Sequence, residues 1–199
     1  IGLKSATGQY IMFLDSDDTL PPNAIETMYS LANSNNCEIV AGSHDGLYNG
    51  IITRPVRWKS KKYDRGVDFL ADSIAVNNFY LWGKLFHKEL FNKEIIYGDS
   101  NYGEDGIFLI QILKDANAVI TTNTVVYNYR LRDDSLTSSP STKLFMDRYR
   151  SSLFIYNYVV ANFSNKHVKN IVESYFIYQV YKMLIDCGDA FISKYRVPV

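Results

Sequence analysis

The first part of the chain alternates short apolar runs with amphipathic stretches. Residues 2–8 end in a glycine, a usual helix stop, and the apolar run over 10–14 that follows predicts a buried strand. The proline pair 21–22 then opens a predicted helix, and residues 37–43 predict a second buried strand. The apolar face of this helix is formed by Ile25, Met28, Tyr29 and Ala32. The order helix, strand, helix, strand predicts an α/β sheet.

The middle of the chain continues this alternation. Asn49 and Gly50 give a strong signal for a two-residue hairpin turn. We then predict helices over 67–77 and 104–116, with a short strand turning into a short helix between them over 81–91. Two β-like runs follow, over 118–122 and 125–130.

After the last β-like run the pattern changes to helices alone. A polar loop over 131–142 is followed by two predicted helices, over 143–162 and 166–187. The change of pattern near residue 140 predicts an α/β domain over 1–140 and a helical extension over 141–199.

Composition narrows the classes of protein that such a fold could serve. The chain has 199 residues and a formal net charge of zero, which argues against nonspecific binding of nucleic acid. No apolar run reaches the roughly 18 to 20 residues that are needed to span a bilayer. Cys37 and Cys187 form neither a disulfide framework nor a metal-binding spacing, and this favours reduced thiols in a cytoplasmic protein.

Three carboxylates, Asp15, Asp17 and Asp18, follow directly after the first predicted strand. In open α/β sheets the carboxyl ends of the strands form the edge where ligands bind. Carboxylates this close together repel one another, and a bound cation relieves the repulsion. Oxygen ligands favour Mg²⁺ or Mn²⁺, which proteins often share with substrate phosphates. The sequence therefore predicts a metal–diphosphate site at the end of this strand.

The acidic cluster also allows other interpretations. An Asp-rich turn that caps the following helix is the simplest one. A calcium-binding EF-hand loop fails, because Leu20 stands where that loop needs a glycine. A phosphatase of the haloacid dehalogenase type fits the cluster, with Asp15 as nucleophile and Asp17 as acid/base. The cluster alone therefore leaves sugar transfer and phosphate hydrolysis open.

The sequence around the cluster resembles a known family. The stretch GLKSATGQYIMFLDSDDTLPPNAIETM, residues 2–28, is similar to the central part of family 2 glycosyltransferases, with their D-x-D motif and GT-A fold. Three downstream segments are similar to the same family in the same order, over 81–91, 102–113 and 125–137. The resemblance implies a GT-A-type mixed α/β sheet. It also implies an N-terminally truncated sheet, because family members carry a nucleotide-base-binding unit upstream.

The resemblance assigns the acidic cluster and two arginines to the donor. Asp17, with Asp15, would bind the divalent cation, Mn²⁺ or Mg²⁺. Asp18 would help to bind the donor or orient its neighbours. Arg130 and Arg132 would clamp the diphosphate, although a solvated strand end would explain them equally well.

The resemblance assigns the base and the acceptor side to two other segments. Asp105 would be the general base on the acceptor hydroxyl, supported by Glu104, because an inverting displacement must remove that proton. Both acids could instead merely complement the dipole at a helix start. Trp82 and Lys84 would line the acceptor site, with a core position as the alternative for Trp82.

Together these features predict a metal-dependent, inverting glycosyltransferase of bacterial polysaccharide or glycolipid synthesis. The expected partners are a nucleotide sugar such as a UDP-sugar and a saccharide or lipid-linked acceptor, with no nucleic acid. The basic stretch 53–65 and the C-terminal tyrosines leave a peripheral contact with the inner face of the membrane open, and the missing strands leave a homo-oligomer open. A Mg²⁺-dependent phosphatase and a noncatalytic carbohydrate-binding or assembly module are the rival functions.

Overall fold

Six strands form one mixed sheet, in which two long strands are the central parallel pair. The computed structural model describes residues 2–76, 78–96, 102–132 and 141–195, with side chains omitted at 142 and 187–195. The strands are β1 Tyr10–Met12, β2 Ile39–Tyr48, β3 Ile51–Val56, β4 Lys61–Tyr63, β5 Lys84–His87 and β6 Val119–Arg130. The helices are α1 Gly2–Ser5, α2 Ala24–Asn35, α3 Gly66–Ala75, α4 Glu104–Asp115, α5 Thr142–Asn162 and α6 Lys166–Tyr195, and a 3₁₀ turn covers Lys88–Phe91.

The sheet topology brings three strand ends to one edge. The strand order is β1-β5-β2-β6-β4, and β3 pairs with β2 beyond the end of β5. Strand β5 is antiparallel to both β1 and β2, so β1, β2 and β6 all run in the same direction. An isolated bridge between Thr19 and Asn128 then brings the acidic loop after β1 against the end of β6. The carboxyl ends of β1, β2 and β6 therefore form the edge at which open α/β sheets bind ligands.

The structure changes two of the predicted strands. The β-like runs over 118–122 and 125–130 are one strand, β6, whose register against β2 shifts between Gly42 and His44. Gly42 makes room for this irregularity, since a Cβ there would lie 2.2 Å from Cγ2 of Val126. Strand β4 was not predicted, because three residues with two lysines carry no period-2 apolar signal. The predicted hairpin turn is confirmed, with positive φ at Asn49 and Gly50.

The predicted apolar face of α2 is partly wrong. Met28 and Ala32 are buried together with Ala24, whereas Ile25 and Tyr29 are exposed. The helix packs on β2 and β6 mainly through this i, i+4 row of small and flexible side chains, and Leu31 adds a partly buried contact. Tyr29 contacts only the edge of this packed region, where its ring lies 5.8 Å from that of Tyr10 between centroids.

Two hydrophobic layers enclose the sheet. Alternate residues of β2 separate them, since Ile39 and Ala41 lie in the larger layer and Val40 lies in the smaller one beneath α2. The larger layer contains side chains from α3 and α4 and also from α5 and α6. The helices predicted over 143–162 and 166–187 are thus confirmed, and they share a core with the α/β part. The predicted polar loop over 131–142 lies largely outside the described residues.

Within the described residues, no helix combines the length and the apolar character that crossing a membrane requires.

The C-terminal tyrosines divide into two groups. Tyr156, Tyr158 and Tyr175 pack against the larger layer, whereas Tyr178 and Tyr181 on α6 are exposed. The peripheral membrane contact stays a prediction.

Candidate active site

Asp18 connects the acidic loop, which carries Asp15, Asp17 and Asp18, to β6 through two hydrogen bonds. Its side chain is buried, Oδ2 accepts a hydrogen bond of 2.8 Å from the Tyr127 hydroxyl, and Oδ1 accepts one of 2.7 Å from the Arg130 backbone N–H. The Tyr127 hydroxyl in turn accepts a bond of 3.1 Å from the backbone N–H of Asp15. Burial raises the pKa of Asp18, although both hydrogen bonds oppose the rise. Both oxygens of Asp18 are thus engaged by β6, and the geometry gives no support to direct contact with a donor.

Asp15 and Asp17 are the members of the cluster that face outward. Partial burial raises the pKa of Asp15, and the charges of Asp18, Asp17 and Glu104 raise it further. Asp17 pairs with Arg132, with 2.7 Å between Oδ2 and Nη2. The described residues contain no group of three His, Cys, Asp or Glu side chains that could coordinate a metal by themselves. A cation here would rest on one or two carboxylates and would take its other ligands from the substrate and from water.

An open cavity of about 630 Å³ lies beside the acidic loop. Its lining includes Asp17, the turn formed by Asn49 and Gly50, and both Arg130 and Arg132. The volume lies in the range of small-molecule sites, and the cavity opens at the ligand edge of the sheet. The structure therefore brings both predicted diphosphate arginines into the same cavity as the predicted metal ligand.

Glu104 and Asp105 form the first turn of α4, directly after Gly103, whose φ is 75°. Oδ2 of Asp105 accepts a hydrogen bond of 3.3 Å from the backbone N–H of Leu81. Burial raises the pKa of Asp105 to about 6, with further increases from the charges of Glu104 and Asp15. The charge of Asp15 thus acts on Asp105, although 90 positions separate the two residues in the sequence. A carboxylate with a pKa near 6 is suited to general-base catalysis close to neutral pH.

The two predicted acceptor residues are buried. Trp82 is 5% exposed, because the Tyr80 ring stacks on it with 4.3 Å between centroids and the Tyr129 ring does so at 5.3 Å. Lys84 is 1% exposed. Neither side chain offers a surface to an acceptor in this geometry, so the predicted contact has no support from the structure.

The exposed aromatic surface near the candidate base belongs to residues that sequence reasoning did not assign to a site. Tyr80 is 37% exposed above Trp82, and Tyr129 is half-buried on the neighbouring strand. Burial raises the pKa of Tyr80, and Tyr102, Tyr129 and Asp105 add to the rise, so this ring lies close to the candidate base. The sequence contains one signal for this surface, the spacing Y-x-W at 80–82 and Y-x-Y at 127–129. Alternate residues of extended segments share a face, so this spacing predicts aromatic side chains on one face.

The sheet edge that carries the acidic loop is the ligand edge of a GT-A-type nucleotide-sugar transferase fold. Staphylococcus aureus TarS, in a crystal structure of residues 1–349 in complex with UDP-GlcNAc, has the same fold, with a TM-score of 0.66. The superposition covers 90% of this chain and 51% of that one, at 14% sequence identity.

Sequence comparison gives the family. Residues 1–99, about half of the chain, match the family described as Glycosyl transferase family 2, and the chain belongs to that family. The glycosyltransferase GlyA of Streptococcus pneumoniae is 29% identical over 146 residues, which are 68% of this chain and 21% of GlyA. The Staphylococcus aureus poly(ribitol-phosphate) β-N-acetylglucosaminyltransferase TarP is 30% identical over 131 residues, 63% of this chain and 38% of TarP. The chain thus spans less than half the length of these two relatives. The predicted family and the predicted GT-A fold are confirmed.

Proposed function

We propose that this chain belongs to a glycosyltransferase that moves a sugar from a UDP-sugar to a hydroxyl acceptor in bacterial polysaccharide or glycolipid synthesis. The observation that carries the proposal is the pair Asp15 and Asp105. These carboxylates belong to different elements, the charge of Asp15 raises the pKa of Asp105, and the loop that carries Asp15 also carries Asp17, which lines the cavity of about 630 Å³. Family membership, the activity named for TarP and the UDP-GlcNAc bound to TarS support the choice of reaction and donor.

The acidic loop would bind the donor diphosphate through a divalent cation. Asp17 and Asp15 would contact Mn²⁺ or Mg²⁺, which when bound would stabilise charge on the departing diphosphate. Arg132 now pairs with Asp17 and lines the same cavity as Arg130. A cation at Asp17 would replace the positive charge of Arg132, which would then be free to contact the diphosphate.

The reaction would proceed with inversion, and Asp105 would supply its base. The Asp105 carboxylate accepts the proton of the acceptor hydroxyl as that oxygen attacks the sugar carbon from the face opposite the diphosphate. The exposed face of Tyr80 would carry the acceptor sugar ring, because flat aromatic surfaces pack well on the apolar faces of sugars. The cytoplasm is the proposed location, since the two cysteines of the sequence form no disulfide framework.

Donor binding and turnover of the full-length protein test this function. With UDP-sugars and Mn²⁺, we expect UDP release that depends on acceptor and stops when a chelator removes the cation. Asp17→Asn should weaken donor binding by about tenfold or more in calorimetry. Asp105→Asn should bind the donor normally but transfer roughly 10²- to 10⁴-fold more slowly. Asp68→Asn, which alters only an exposed pair with Arg65, is the matched control.

Each rival function has its own outcome in these assays. A flat calorimetric trace with every UDP-sugar, with and without Mn²⁺, would favour a noncatalytic module. Release of inorganic phosphate with a covalent phosphate on Asp15 would favour a phosphatase. Unchanged transfer by both Asp17→Asn and Asp105→Asn would refute the assignment of the site. Light scattering and flotation with anionic vesicles test the predicted self-association and membrane contact.

A further inference from the structure

Lys84 is a buried cation at the start of β5. Its Nζ donates hydrogen bonds of 2.6 Å to Oδ1 of Asn78 and of 2.7 Å to the backbone carbonyl of Tyr80. Among the residues that the structure describes, Lys84 makes no ion pair. Burying an ammonium group is costly, and an apolar side chain of similar length usually fills such a position at least as well. Stability alone therefore does not account for a lysine here.

The carbonyl that Lys84 binds belongs to the same peptide group as the N–H that holds the base. The carbonyl of Tyr80 accepts from the ammonium group, and the N–H of Leu81 donates to Oδ2 of Asp105. Consecutive hydrogen bonds polarise one another, so a cation on the carbonyl side strengthens donation from the N–H side. The arrangement is a chain from Lys84 through one peptide to Asp105.

We infer that Lys84 is a positioning residue for the candidate base, which fixes and polarises the peptide between Tyr80 and Leu81 and thereby orients the Asp105 carboxylate. The inference rests on the proposed function of Asp105. It gives Lys84 an indirect role, through this peptide, instead of the predicted contact with an acceptor.

The charges around Asp105 support a role in tuning as well as in orientation. Glu104 on its own helix and Asp15 on the acidic loop both raise the pKa of Asp105, whereas Lys84 on β5 lowers it. Burial lowers the pKa of Lys84 to about 7, and the charge of Asp105 opposes this fall. Removing the Lys84 charge should therefore raise the pKa of Asp105 and also free the peptide to move.

The test compares Lys84→Met with Lys93→Met in the full-length protein. Lys93 is the control, because like Lys84 it donates to a backbone carbonyl, here that of Gln111, and it does so, together with an ion pair to Asp115, at the end of α4 remote from Asp105. For Lys84→Met we expect the acidic limb of the pH–rate profile to move up by about one unit, with transfer slowed by up to about 100-fold. The dissociation constant of UDP should stay the same, and Lys93→Met should leave the limb in place.

Several outcomes separate this inference from the proposed function. A Lys84→Met protein that is slow but keeps the wild-type limb would overturn the inference, since a merely structural loss scales all rates equally. If Lys84→Met does not fold, Lys84→Gln, which keeps a donor without the charge, should show the same shift. If the wild-type protein transfers no sugar, the proposed function fails. A carbon-13 titration of the Asp105 carboxyl, assigned with Asp105→Asn, then still measures the shift in the Lys84 variants.

Discussion

Replacing Asp105 by asparagine should stabilise the folded protein at neutral pH while it removes the candidate base. The carboxylate lies at a partly buried position and faces the negative charges of Glu104 and Asp15. An asparagine side chain has nearly the same shape, and its oxygen can still accept the hydrogen bond from the Leu81 N–H. The substitution therefore removes an unfavourable charge and retains the local contact.

The size of this effect follows from the shifted pKa. Burial and the two neighbouring acids raise the pKa of Asp105 from 3.8 to about 6. At about 1.4 kcal/mol per pKa unit, ionising Asp105 costs roughly 3 kcal/mol more in the folded protein than in the unfolded chain. The folded state binds the Asp105 proton more tightly than the unfolded chain does. The wild-type protein therefore pays none of this ionisation cost below about pH 4, and it loses the corresponding stability as the pH rises through about 6. Between about pH 4.5 and 7.5 the wild-type protein should lose roughly 2 kcal/mol that Asp105→Asn retains.

Urea denaturation at these two pH values, with a chelator present, measures the difference. The free energy of unfolding of Asp105→Asn minus that of the wild type should be clearly larger at the higher pH. Asp68→Asn, at an exposed position on α3, should show no such gain. The reasoning is refuted if Asp105→Asn is less stable than the wild type at about pH 7.5, or if both proteins depend on pH in the same way.

Two further substitutions test how the site is supported. Asp18→Ala leaves the two β6 donors that bind its carboxylate without a partner, and we expect a loss of about 2–4 kcal/mol in urea denaturation; a loss below about 1 kcal/mol would contradict its structural role. Gly66→Ala should lower the free energy of unfolding by about 1–3 kcal/mol, because the new Cβ would lie 2.3 Å from the backbone oxygen of Leu113. Gly2→Ala, with no heavy atom within 4 Å of the new Cβ, is the control and should leave the melting curve unchanged.

The location of the site could be predicted from the sequence because it depends on local pattern. A short apolar run followed by Asp15 and Asp17 needs only the rule that ligands bind at the carboxyl ends of strands. The pair Glu104 and Asp105 was placed at a helix start by the apolar period that follows it, and α4 begins at Glu104. Both predictions use neighbours within one turn or one strand, where sequence patterns are informative.

The roles of Asp18, Trp82 and Lys84 depend on contacts between distant segments, which local patterns do not contain. Asp18 is engaged by residues of β6 that are 109 and 112 positions away. Trp82 is covered by Tyr80 and by Tyr129, and only the register between strands brings the second ring there. From the sequence alone, Lys84 in the segment 81–91 would be taken for an exposed lysine. No neighbouring residue predicts that its ammonium group is buried.

The candidate base also depends on the helices after residue 140. Ser151 on α5 donates a hydrogen bond to the backbone carbonyl of Tyr102, directly before the turn that begins α4. Gly106, next to the base, lies so close to α5 that a Cβ there would be 3.1 Å from Cδ1 of Ile155. The first turn of α4 is thus held between α5 on one side and the peptide bound by Lys84 on the other. Because a displacement of about 1 Å can slow a reaction roughly 100-fold, the helical part contributes to the geometry of the site even though its described residues lie outside the cavity.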